Sequence, residues 1–167
     1  YSHYGLFNLS ILGFDNQNFE CIVSGMVQAI KRAHENLSPG KLFINKGDVE
    51  GCGNNRSPIA YEQNPPDEKV RYNGNTDKEM LLLKFVKDDG KEIGCINWYA
   101  IHPTNRGNKN KLITGDNKGY ASYLFEKEKV TNIQNKETFI AAFANSSCGD
   151  ISGNIKYGIP DLAHDFA

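Results

Sequence analysis

The run Ile93-Gly-Cys-Ile-Asn-Trp-Tyr-Ala-Ile101 is apolar on both faces. A strand of this kind has to be covered above and below, which places it in the middle of a sheet flanked by further layers. It follows Met80-Leu-Leu-Leu-Lys-Phe-Val86 across Asp88-Asp89-Gly90, where a glycine that tolerates positive φ makes a hairpin the economical connection.

The covering layers are also legible. Phe19, Ile22, Val23, Met26, Val27, Ile30 and Ala33 keep the spacing of one helix face, predicting a helix over about residues 17–36. Asp15 and Asn16 can accept its first free amides, and Ser38-Pro39-Gly40 ends it. Lys41-Leu-Phe-Ile-Asn45 then reads as a strand entering a long segment, residues 46–75, whose prolines and aromatics suggest an ordered, site-building loop. Asp116 or Asn117 caps a second helix, from about Lys118 through Val130, with Ala121, Leu124 and Phe125 turned inward, and Phe139-Ile-Ala-Ala-Phe-Ala144 forms one more buried strand. The expected class is α/β, with helices packed on a mixed β-sheet in one domain.

Composition restricts what such a domain can bind. With 167 residues and 39% apolar content the chain can bury a core. Nineteen basic residues against 20 acidic ones give a net charge of −1, without a basic run to neutralise phosphates, so no nucleic-acid partner is expected. No stretch reaches the ~18 uninterrupted apolar residues of a membrane span, and a soluble protein is expected. Cys21, Cys52, Cys95 and Cys148 lack the CxxC spacing of a closed thiolate zinc site; Cys21 and Cys95 lie in apolar runs and read as buried thiols. Asn8, Asn36, Asn55 and Asn145 head glycosylation triplets, which is compatible with secretion. The start at Tyr1 and the final Asp161–Ala167 stretch, with no clear stop, suggest a processed product or a fragment.

Three polar clusters fall where elements end. His102 leaves the central strand just before Pro103, a fixed point suited to a metal ligand or a base, or to an ordinary bond with a backbone carbonyl. Ser152, in Gly149-Asp-Ile-Ser152, follows the last buried strand; its hydroxyl could attack a carbonyl, or the segment could be only a tight turn. Arg56 could hold an oxyanion or hydroxyl with its planar fork, or be a plain exposed cation. Cys148 is a competing nucleophile. His3, His34 and His164 share no pattern with His102.

In order along the chain, Phe43-Ile-Asn-Lys-Gly47, Asn55-Arg-Ser-Pro58 with Tyr61 and Asn64-Pro65, Asn75-Thr-Asp77, Trp98-Tyr-Ala-Ile-His-Pro-Thr104, Gly115-Asp-Asn-Lys-Gly-Tyr-Ala-Ser122 and Cys148-Gly-Asp-Ile-Ser152 resemble the neutral ceramidase family from Tyr1 to about Asn154. The sequence departs from that family's usual pattern at Gly153, where proline is usual, and at Asn105-Arg106, where serine and methionine are usual.

The resemblance implies that Ser152 is the acyl-forming nucleophile, that His102 is one zinc-binding histidine, and that Arg56 lines the substrate site. It also implies a zinc-dependent, secreted or cell-surface amidase acting on ceramide at a membrane surface. Residues 1–167 would then be an internal piece of the catalytic domain, with further zinc ligands outside it and no activity when isolated. A non-catalytic binding domain of the same fold and a cysteine hydrolase using Cys148 are the alternatives.

Overall fold

The computed structural model describes residues 14–107, 109–129 and 139–153. Val130, His3, His164, Asn8 and the tail from Asn154 lie outside them. The chain divides into two compact units, Tyr1–Pro39 and Gly40–Ala167.

In the first unit, α1 spans Asn16–Glu35, within a residue of the periodicity reading. Asp15 accepts the Asn18 amide at 3.0 Å, and the Asn36 side chain donates to Arg32 O at 2.8 Å where the helix ends. The apolar stripe is as spaced, but Cys21 on this helix is exposed rather than buried. Periodicity reports which residues share a side; whether anything covers that side is a tertiary matter.

The second unit is built on a four-stranded mixed sheet. Its strands are β1 (Gly40–Asp48), β3 (Glu79–Lys87), β4 (Glu92–Tyr99) and β5 (Ile140–Asn145), in the order β1-β3-β4-β5. The antiparallel hairpin β3–β4 turns at Gly90, whose φ of +86° only glycine adopts without strain. As expected, β4 lies inside the sheet, between β3 and its parallel neighbour β5. The parallel pairing requires a crossover, which carries the helix α4 (Asp116–Lys129).

That helix closes the β5 edge. The Ser122 hydroxyl donates to Ala141 O at 2.6 Å, and Glu126 Oε1 accepts from Ala141 N at 3.0 Å. Both backbone groups that Ala141 turns away from β4 are thereby satisfied by one helix, so at this residue the edge is not open to another strand. The core gathers where α4 meets β4 and β5: Cys95, Phe139 and Ala141 are buried, with Leu82, Phe125 and Phe143 packed against them. Cys95 is the buried thiol the sequence suggested, and burial raises its pKa. Leu124, expected to face inward, is instead 41% exposed.

The long segment after β1 is ordered, as its composition suggested, and carries elements too short to betray a period: β2 (Asn54–Asn55), α2 (Pro58–Glu62) and α3 (Pro66–Lys69). Asn55 organises it, donating to Asn75 O and accepting from Ser57 N, both at 2.7 Å. At 6% exposure and with its amide engaged, Asn55 is no glycosylation acceptor in the folded chain. A last two-residue strand, β6 (Ile151–Ser152), pairs antiparallel with β2.

Candidate active site

The β2–β6 pairing sets Asn54 opposite Ser152 and Asn55 opposite Ile151. One residue on, the Arg56 amide donates to Asp150 O at 2.7 Å. His102 lies on the other flank of the same strand, forming a parallel bridge with Ser152. The three residues singled out from sequence thus sit on three adjacent backbone segments, with Ser152 in the middle. Arg56 is exposed; His102 and Ser152 are half-buried.

The His102 ring is fixed by this arrangement. Its Nδ1 lies 3.0 Å from Ile151 O, and because a carbonyl only accepts, Nδ1 carries the proton. In the neutral ring the lone pair is then on Nε2. A histidine whose second nitrogen is tied to a backbone carbonyl is the usual support for a metal ligand, so His102 fits zinc as one donor. Among the described residues there is no group of three or more His, Cys, Asp or Glu side chains able to hold an ion.

The helix N-terminus at the crossover holds both flanks. The Asn117 amide donates to His102 O at 2.9 Å and to Asn105 Oδ1 at 2.7 Å. Asn105, 4% exposed, donates in turn to Gly153 O at 2.9 Å. Asp116 accepts the amides of Asn105 at 3.0 Å and Arg106 at 2.8 Å, besides that of Asn117 at 2.7 Å. Asp116 and Asn117, expected to cap the helix, mainly grip the loop that follows His102, and Asp116 takes a left-handed φ of +52° in doing so. Two of the three positions that depart from the resembled pattern, Asn105 and Gly153, meet here.

Behind the site, Lys118 donates to Tyr99 O at 2.7 Å and to Ala144 O at 3.0 Å, clasping the carboxyl ends of the two parallel strands. Burial depresses the pKa of its ammonium to about 8. Tyr99, whose hydroxyl donates to Val49 O at 3.1 Å, is pushed up to about 12, chiefly by burial, and stays protonated at neutral pH. Sequence reading took Lys118 only as a helix residue; no local pattern reveals that its ammonium spans two strand ends.

Two cavities adjoin these segments. One of about 900 Å³ is walled by Asp48, Tyr61, Tyr72, Asp77, Ser147 and Asp150 among others, and one of about 440 Å³ by Val49, Cys52, Asn54, Asn55 and Tyr99. The site segments border both, through Asp150 and through Asn54 and Asn55, yet Arg56, His102 and Ser152 line neither. The backbones of the three residues run side by side, while these two cavities are walled by their neighbours.

Comparison with known proteins bears on this geometry. Residues 1–161 match the family model described as neutral/alkaline non-lysosomal ceramidase, N-terminal. Neutral ceramidase B of Dictyostelium discoideum is 42% identical over 157 residues, covering 93% of this chain and 22% of that protein. The neutral ceramidase of Drosophila pseudoobscura pseudoobscura is 44% identical over 151 residues, covering 90% and 21%. A crystal structure of neutral ceramidase from Pseudomonas aeruginosa superposes with a TM-score of 0.77 at 38% identity, covering 98% of this chain and 25% of that one. The chain therefore spans about a fifth of the length of the curated relatives it matches.

Proposed function

The chain belongs to the neutral/alkaline non-lysosomal ceramidase family, and from that premise we propose that its full natural polypeptide hydrolyses the amide bond of ceramide, with Ser152, His102 and Arg56 in the reacting centre. The observation that carries this reading is the adjacency of the three segments, with Ser152 bridged to His102 on one side and paired toward Arg56 on the other. Support from the relatives is in their names, which describe them as ceramidases.

Each residue has a task suited to its place. Ser152, on a strand held from both sides, presents its hydroxyl to the amide carbonyl and takes up the acyl group. Arg56, anchored through its own backbone amide, holds the carbonyl oxygen or a headgroup hydroxyl with its planar fork. His102, proton-locked on Nδ1, offers Nε2 to zinc together with ligands outside the described residues. Zinc, when bound, supplies the Lewis acidity that polarises the amide carbonyl. The products are a fatty acid and sphingosine; because ceramide is a bilayer lipid the reaction belongs at a membrane surface, and the family resemblance favours a secreted or cell-surface enzyme. With no group of three donors among the described residues, the 167-residue piece alone is inactive in this reading.

Replacing the nucleophile tests it. In the full natural polypeptide Ser152→Ala lowers ceramide hydrolysis by roughly a thousandfold or more while zinc content, measured by metal analysis, is unchanged. Cys148→Ala keeps most of the activity. Hydrolysis that survives the serine change rejects the reading.

A further inference from the structure

The Asn117–Asn105 pair forms a hydrogen-bonded strut with a fixed polarity. Asn117 Nδ2 gives one hydrogen to His102 O and one to Asn105 Oδ1; Asn105 Nδ2 gives one to Gly153 O. Carbonyl acceptors at both ends leave neither amide free to flip, since a flipped group would set oxygen against oxygen. The strut ends on the main chain of His102 at one side and of the residue after Ser152 at the other.

The space around it is filled. A Cβ added to Gly153 would overlap Asn105 Oδ1, far inside van der Waals contact, and would lie 2.9 Å from Asn117 Nδ2. Asn105 cannot swing aside cheaply, because it is nearly fully buried and both of its amide atoms are bonded. Gly153 is therefore bare because Asn105 occupies the volume a side chain there would need.

We propose that Asn105 and Asn117 are positioning residues that set the separation of His102 from Ser152, and that Asn105 and Gly153 form a coupled pair in which the size of one fixes what the other can be. This rests on the roles given above to His102 and Ser152. Neither asparagine touches the reacting atoms; their effect passes through the two carbonyls they hold. Misplacement of reacting groups by an ångström is enough to lower turnover strongly while substrate binding persists.

A double-mutant cycle on the full natural polypeptide tests it, reading kcat and KM for ceramide and the thermal midpoint of each protein. Gly153→Ala is expected to lower kcat about tenfold or more, with KM within about twofold, and Asn105→Ser about threefold. In the double variant the shorter serine removes the closer of the two clashes, and Asn117, released from Asn105 Oδ1, can yield to the new methyl group, so its kcat and midpoint exceed those of Gly153→Ala alone. Multiplying losses in an active enzyme overturn the coupled pair. Falling midpoints with kcat per folded molecule unchanged overturn the positioning role. A native protein inert toward ceramide overturns the functional reading and the catalytic part of this inference with it, whereas additive midpoints overturn the contact itself.

Discussion

At one edge of the sheet, β1 leaves Leu42, Phe43 and Ile44 65%, 51% and 74% exposed; at the other, β5 has Ala141 at 2% with both its outward backbone groups held by α4. Both strands carry large apolar side chains, and what separates Ala141 from the β1 residues is that α4, from the same unit, lies against β5. The groups that hold His102 and Ser152 are at the covered end, while Arg56 hangs on β2, which follows β1. The His102 loop leaves β4, Lys118 clasps β4 to β5, and β6 follows β5. The hydrogen-bonded frame and the candidate site residues His102 and Ser152 thus share one end of the sheet, while the β1 edge leaves large apolar side chains exposed.

The most severe challenge to this contrast is a charge in each place. Ala141→Asp is expected to cost about 4 kcal/mol or more in urea denaturation, since it buries an unpaired carboxylate, whereas Ile44→Asp costs about 0.5 kcal/mol or less in the 167-residue chain. Equal costs in the full natural polypeptide would show that the β1 edge is covered there.

A milder test removes the clasp. Lys118→Met leaves Tyr99 O and Ala144 O without their donor and is expected to cost about 1–3 kcal/mol, and it should loosen His102 more than β1 in hydrogen exchange. The pH dependence sharpens it. Lys118 loses its proton near 8 when folded and near its ordinary 10.5 when unfolded, so the folded state binds fewer protons between these values and its contribution makes stability rise with pH across that window. The methionine variant should lack that rise.

Legibility in the sequence follows from how local each cause is. The helix α1 and the strand β4 announced themselves because their periods and apolar runs are written in consecutive residues. The pairing of Asn54 with Ser152 left no trace of that kind, because a two-residue strand has no period and its partner lies in the other half of the chain. Arg56, His102 and Ser152 were found through resemblance, each being ambiguous on its own spacing. Asn105, Asn117 and Lys118 went unnoticed as a holding frame, since a polar residue in a loop or first turn reads as a cap until the carbonyl it meets is known.

The smallest effect lies on the surface of the covered end, where Glu92 is paired with Lys84 and, at 2.8 Å, with Lys129. Its hydrogen bonds to Lys129 and Lys84 hold its pKa down to about 2 from 4.5. A depressed folded value means stability present above 4.5 and lost as pH falls toward 2, so an acid titration should show a slight decline that Glu92→Gln removes and added salt suppresses.

The union of β2 with β6 has a consequence for biosynthesis. A ribosome delivers Arg56 early and Ser152 late, and the loop between them must close before either has its neighbour. This three-segment arrangement is therefore completed only when nearly all of this stretch has emerged, so a truncated nascent chain carries Arg56 and His102 without Ser152 beside them.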